Sequence, residues 1–182
     1  MTRSELARAL REAAYLEGDF VLRSGRRSKY YLDKYRFETR PDLLAPLGEA
    51  IAAAVREHEP EAERLAGPEL GAVALAAAAS LSSGLPFLIV RKEAKGYGTA
   101  NQLEGVFEDG ESVCLVEDVV TSGGAAIEAV EALRSAGLRV SNAICVVDRE
   151  EGGVDELARH AVRLRPLFTA SELLETPANP HG

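Results

Sequence analysis

Between residues 113 and 136 the chain places four parts in an order that few folds can use. An apolar run is followed by Glu117 and Asp118. Next come Val119, Val120 and the small-residue turn Thr121-Ser122-Gly123-Gly124-Ala125, and a helical pattern starts at once over 125–136. The expected local structure is a buried strand over 112–117 ending in two carboxylates, a tight turn, and a helix closed by Gly137. A helix that starts on such a turn leaves backbone N–H groups free for an anion, and its dipole favours negative charge there. Glycine lets the backbone come close to that anion, and Thr121 and Ser122 add hydroxyl donors. Glu117 and Asp118 can accept hydrogen bonds from sugar hydroxyls or hold a hydrated Mg²⁺. Two other phosphate loops are absent. No Gly-x-x-x-x-Gly-Lys-Ser/Thr occurs, and no Gly-x-Gly-x-x-Gly follows a strand.

The rest of the chain supplies the frame for such a unit. At 182 residues it suits one domain, residues 1–182. Ser4 is placed to cap a first helix with Leu6, Leu10, Ala13 and Ala14 on its apolar face. Residues 18–25 and 29–33 suggest short strands about a bend at Ser24-Gly25. Pro41 suits the start of a long helix to about His58. A βα series follows: strands near 62–66, 86–90, 112–117, 140–147 and 162–168, with helices near 72–81, 125–136 and 154–160. Residues 92–110 lack a clean period, and a loop that long in a compact domain carries function or is disordered. The alternation argues an α/β fold, a mostly parallel sheet flanked by helices on both faces. The first 40 residues stand outside it and suit a small N-terminal hood. The tail from Thr176 is proline-rich and expected to fray.

Such sheets bind ligands beyond the carboxyl ends of their strands. Arg91, Glu117, Asp118 and the pair Asp148-Arg149 all fall near such ends. Net charge is −8, which argues against nucleic acid and anionic membranes as partners. Yet six basic side chains crowd into residues 23–36 (Arg23, Arg26, Arg27, Lys29, Lys34, Arg36) against one acid, Asp33. Arg91, Lys92 and Lys95 form a second basic group. Such local groups on an acidic chain fit a small polyanionic substrate or a solvated surface. Cys114 and Cys145 sit in apolar runs and read as reduced core residues. His58, His160 and His181 have no metal-ligand neighbourhood. Residues 70–90 carry no charge, but Ser80, Ser82, Ser83, Gly84 and Pro86 interrupt them. With no apolar leader at the N-terminus, a cytoplasmic protein is expected.

Four stretches together resemble the orotate phosphoribosyltransferases, within the type I phosphoribosyltransferase fold. They are Gly18–Gly25 with Tyr30-Tyr31, the loop Arg91–Gly105, the motif Glu117–Ala125, and Val147-Asp148-Arg149. The resemblance spans about Leu16 to Gly152. It implies transfer of a phosphoribosyl group from 5-phosphoribosyl pyrophosphate (PRPP) to N1 of orotate. The products would be orotidine 5′-monophosphate and pyrophosphate, a step of pyrimidine biosynthesis, with Mg²⁺ as cofactor. It implies a mobile catalytic loop at about 92–105, in which Lys95 is the principal lysine and Arg91, Lys92 and Tyr97 contact PRPP. Asp118 joins these as a catalytic residue. Glu117 through Ala125 (Glu117, Asp118, Val119, Val120, Thr121, Ser122, Gly123, Gly124, Ala125) would bind PRPP, the acids also meeting the metal through water. Arg149 would grip orotate, with Thr121, Tyr30, Tyr31 and Arg23 around it. A homodimer sharing its loop between subunits is implied too. Three departures stand out: Tyr97 replaces a common histidine, the turn 67–71 has no basic residue, and the acid pair is Glu-Asp. A PRPP-sensing regulator and a purine phosphoribosyltransferase remain alternatives on the same fold.

Overall fold

The computed structural model describes residues 1–21, 25, 27–92 and 102–177. It opens with helix α1 (Arg3–Ala14), whose apolar positions Leu6, Leu10, Ala13 and Ala14 are buried. The cap is Thr2 rather than Ser4. Thr2 accepts from the Glu5 N–H while the Glu5 carboxylate takes the Thr2 N–H, a reciprocal box that Ser4, already inside the helix, cannot make. Strands β1 (Tyr15–Val21) and β2 (Arg27–Leu32) form a separate antiparallel pair, with Tyr15 opposite Leu32 and Val21 opposite Arg27. A single turn, α2 (Tyr35–Glu38), leads to α3 (Pro41–His58), which starts on proline as expected.

The main sheet then builds up through β3 (Arg64–Pro68), α4 (Gly71–Ser83), β4 (Phe87–Val90), β5 (Leu103–Glu104), β6 (Val113–Val120), α5 (Gly124–Ser135), β7 (Asn142–Asp148), α6 (Gly153–Arg159), β8 (Arg163–Thr169) and α7 (Ala170–Glu175). Its order is β5-β4-β3-β6-β7-β8, parallel except for the short edge strand β5. Alternation along each strand divides the core in two. Cys114, Val116, Ile144 and Val146 pack with Leu47 and Ile51 of α3 and Leu75 and Ala79 of α4. Leu115, Ala143 and Cys145 pack with Val130 and Leu133 of α5 and Leu157 of α6. Both faces are therefore covered, which is why these strands read as nearly unbroken apolar runs. The two cysteines are free and buried, as expected. Among the described residues no helix is long and apolar enough to cross a membrane.

The boundaries differ from the sequence reading in several places: β1 already starts at Tyr15, because Tyr15, Leu16 and Glu17 pair with Leu32, Tyr31 and Tyr30, and the short α2 is added. β3 runs to Pro68, because Gly67 and Pro68 pair with Ile89 and Val90 instead of turning. β6 continues to Val120, because Val119 and Val120 pair with Val147 and Asp148. The acids Glu117 and Asp118 thus lie inside the strand rather than at its tip. β5 pairs with β4 within the stretch 92–110 that has no clean period. Helix α7 was not expected; Thr169 and Glu172 form its capping box.

Candidate active site

The turn after β6 is shaped to expose backbone donors. Gly123 is the residue before α5, at φ 88°, a left-handed conformation that suits glycine. No side chain caps this helix start. By contrast, α1 and α7 each have their first N–H groups engaged by a threonine box. The uncapped first turn of α5 therefore keeps its donors for a ligand. Thr121, Ser122, Gly124 and Ala125 are exposed around it. The turn is braced from behind by Gly153, where an added Cβ would come within 2.5 Å of Val120 Cγ1 and 2.7 Å of the Thr121 carbonyl oxygen.

A cavity of about 450 Å³ opens beside this turn, lined by Ser122, Gly124, Glu151, Asp155, Glu156 and Arg159. Its three carboxylates repel an anion, and Arg159 is already paired with Glu156. This space therefore does not suit an anion, whereas the uncapped start of α5 offers backbone donors.

Glu117 and Asp118 are buried, 7% and 4% exposed. Asp118 Oδ1 accepts the Val119 N–H at 2.5 Å, and Oδ2 accepts Lys34 Nζ at 2.5 Å. Glu117 Oε1 is buried without a hydrogen-bond partner. Burial, and then the neighbouring Asp118 charge, push the Glu117 carboxyl up to about 8. Glu38, 4% exposed, joins the group from α2 and is raised by the same two causes. For Lys34 burial alone would lower the pKa; the charge and hydrogen bond of Asp118 outweigh it and raise it. Gly71 makes the packing possible: a Cβ there would overlap Asp118 Oδ2 and reach Glu38 Oε1 at 2.7 Å.

These raised carboxyls set a pH dependence. Folded Glu117 holds its proton to about 8, whereas a carboxyl in the unfolded chain releases it near 4.5. Its contribution to stability is complete below about 4.5 and is lost as pH rises through about 8. Buried Glu59, raised by burial at the far end of the sheet, has the same sign. The ligand-free protein should lose on the order of 1–3 kcal/mol between about pH 6 and about pH 8.5. Thermal melts across that range should show Tm falling; Glu59→Gln should flatten part of the slope.

Arg91 follows β4. Its N–H reaches the Gln102 carbonyl at 2.8 Å, and its guanidinium lies 3.6 Å from Glu104. The Lys92 N–H donates to Glu69 Oε1 at 2.7 Å. Gln102 Nε2 donates to the Arg91 carbonyl at 3.0 Å and to the Lys92 carbonyl at 3.3 Å. Both sides of the loop's root are thus tied together, and Glu69 anchors them to the turn after β3. Lys95, Tyr97 and Arg23 lie outside the described residues.

Arg149 lies just past β7, its N–H bonded to the Val120 carbonyl at 2.8 Å. Its side chain is 8% exposed, sits 3.2 Å from Glu151, and lies 5.3 Å above the Tyr30 ring. Its Nε is buried without a partner. Tyr30 also stacks on Tyr15, whereas Tyr31 is exposed and tilts against Phe20. Only Tyr30 of the two tyrosines meets Arg149 through its ring. The structure thus brings together the turn 121–125, the acid pair, and Arg149 with Tyr30. It adds Lys34, Glu38, Gly71 and Gly153, which the sequence reading did not single out as site residues. Lys34 had a signal in the basic crowding of 23–36, and Glu38 lies one helical turn beyond it.

Residues 38–165 match the family described as phosphoribosyl transferase domain. The orotate phosphoribosyltransferase of Halobacterium salinarum is 51% identical over 172 residues, covering 94% of this chain and 96% of that relative. The crystal structure of orotate phosphoribosyltransferase from Aeropyrum pernix superposes with a TM-score of 0.84 at 36% identity, over 93% of this chain and 96% of that one. The Mycobacterium tuberculosis orotate phosphoribosyltransferase in complex with PRPP gives a TM-score of 0.79 at 28% identity, over 94% and 98%.

Proposed function

The chain belongs to the orotate phosphoribosyltransferase family, and from that membership we propose that it joins orotate N1 to C1 of PRPP. The C1–O bond to pyrophosphate breaks, the N1–C1 bond forms, and orotidine 5′-monophosphate and pyrophosphate leave. The observation that carries the reading is the uncapped start of α5 at Gly123 beside the buried pair Glu117-Asp118 on the preceding strand. That pairing suits a phosphorylated sugar: donors for its 5′-phosphate at residues 121–125, and carboxylates for its ribose hydroxyls.

The other roles follow from charge. As C1–O breaks, the ribosyl group becomes cation-like and negative charge grows on pyrophosphate. Arg91, Lys92 and Lys95 supply positive charge to that leaving group, and such placed charges often give the largest catalytic contribution. The acids near C1 favour the positive ribosyl side. The link between β3 and α4, Glu69-Leu70, has no cation, so the backbone N–H groups at the uncapped start of α4 serve the pyrophosphate instead. Glu117 and Asp118 offer oxygen only, the donor chemistry Mg²⁺ takes. Among the described residues no group of three His, Cys, Asp or Glu could hold a metal by itself. Glu117 and Asp118 would help hold the ion through water or sugar hydroxyls, and Mg²⁺ would supply positive charge to the diphosphate. We further propose a cytoplasmic homodimer that shares the loop between subunits.

Arg149 offers a planar two-pronged donor for the orotate carboxylate, with its free Nε as the unspent donor and Tyr30 beneath it. Arg149→Lys should raise the orotate KM by about tenfold or more and leave the PRPP KM little changed. Equal effects on both constants would remove Arg149 from the base pocket. The function itself is tested with a panel of acceptors, measuring PRPP-dependent pyrophosphate release with orotate, adenine, guanine and xanthine. Release with orotate alone supports the proposal. Release with a purine supports the purine enzyme instead, and PRPP binding without release supports a regulator.

A further inference from the structure

Lys34 lies outside the βα series, in the turn between β2 and α2 of the hood. Its ammonium reaches across to Asp118 Oδ2 at 2.5 Å. The Asp118 side chain is 5% exposed and that of Lys34 is 33% exposed, so the pair is held largely away from water. Charge-assisted bonds in such surroundings are strong, and breaking one side leaves a buried charge without its partner. Asp118 Oδ1 is fixed separately by the Val119 N–H.

The neighbours make this contact necessary. Glu38 sits one helical turn after Lys34, and its carboxyl shares with Asp118 the space above Gly71. Glu117 is buried on the same strand as Asp118. Three carboxyl groups thus crowd one place, and Lys34 is a cation that acts on all of them. Removing it leaves the buried Asp118 carboxylate without its cation, crowded by two carboxyl groups, with Oδ1 held by the Val119 N–H and Oδ2 no longer fixed.

We propose that Lys34 is a positioning residue for Asp118, so that the hood completes the ribose-binding part of the PRPP site. The inference rests on the reading of Asp118 as a sugar-binding acid. It makes the hood more than a cover for the base pocket: the hood sets the orientation of an acid that belongs to the other substrate. Lys34 acts through Asp118, and that is what separates it from a direct phosphate contact.

A double-mutant cycle tests this. PRPP binding in the presence of Mg²⁺ is measured by calorimetry, and KM and kcat by steady-state kinetics. The variants are Lys34→Met, Lys34→Arg, Asp118→Asn and the double Lys34→Met/Asp118→Asn. Lys34→Met should weaken PRPP about tenfold, the size of one charge-assisted hydrogen bond, with the orotate KM unchanged. Lys34→Arg should restore most of the loss. The double variant should bind PRPP no more weakly than Asp118→Asn alone. Unchanged PRPP affinity in Lys34→Met overturns the proposal. So do losses that multiply in the double variant, since they place Lys34 on the substrate independently of Asp118. Normal PRPP affinity in Asp118→Asn overturns the reading of the acid itself, and the inference with it. If Lys34→Met does not fold, Lys34→Gln against Lys34→Arg carries the same comparison.

Discussion

Gly71→Ala is expected to cost about 1–3 kcal/mol in stability and to weaken PRPP binding by tenfold or more. The new methyl group would occupy the position of Asp118 Oδ2 and press on both oxygens of Glu38. Neither neighbour can yield freely. Asp118 is tied by Lys34 and by the Val119 N–H, and Glu38 is buried on α2. Gly71 itself begins α4, whose residues Ala72, Leu75 and Ala76 are buried, so the helix cannot retreat without loss of packing. Alanine is otherwise the better helix former, worth about 1 kcal/mol over glycine. A loss of stability would therefore isolate the clash. Thermal melts and PRPP titration of the variant check both effects together. A variant with raised Tm and normal PRPP affinity would show that the space above Gly71 is not needed.

The second large effect is expected at Lys95. Lys95→Ala should lower kcat about 10²–10³-fold while PRPP binding stays within a few-fold of normal. The residue lies in the stretch 93–101, whose root is fastened by Gln102 to Arg91 and Lys92 and by Glu69 to Lys92. In the proposed reaction the Lys95 charge meets the pyrophosphate only as the C1–O bond stretches. An interaction made in the transition state alone lowers kcat without a matching change in substrate binding. Single-turnover kinetics separate the chemical step from product release, which can set kcat in enzymes with closing loops. An unchanged single-turnover rate would take Lys95 out of the chemistry. Loss of PRPP binding with a normal rate would make it a binding residue only.

What could be read from the chain and what could not divide along sequence distance. The motif 113–125 was legible because strand, acids, turn and helix are adjacent, and local order carries their geometry. The parallel sheet was legible from the alternation of apolar runs and helical periods. Lys34 was visible only as one of six basic residues, because its partner Asp118 is 84 positions away. Gly71 looked like a turn glycine; its purpose depends on Asp118 and Glu38 arriving from two other elements. Gly153 likewise makes sense only once α6 lies behind the turn at Thr121. Helix α7 is a different case. Its Thr-x-x-Glu box at Thr169 and Glu172 is a local signal, but the helix is one short run after a strand that had seemed to end the fold. The strand ends moved because pairing with neighbours decides them: β6 reaches Val120 since β7 offers partners to Asp148.

The most direct test of the account follows orotate ultraviolet absorbance in the presence of the protein, PRPP and Mg²⁺. Absorbance should fall only when orotate, PRPP and Mg²⁺ are all present with the protein, and orotidine 5′-monophosphate should accumulate in step with pyrophosphate. Constant absorbance from folded protein that still binds PRPP would contradict the assignment of orotate as the acceptor.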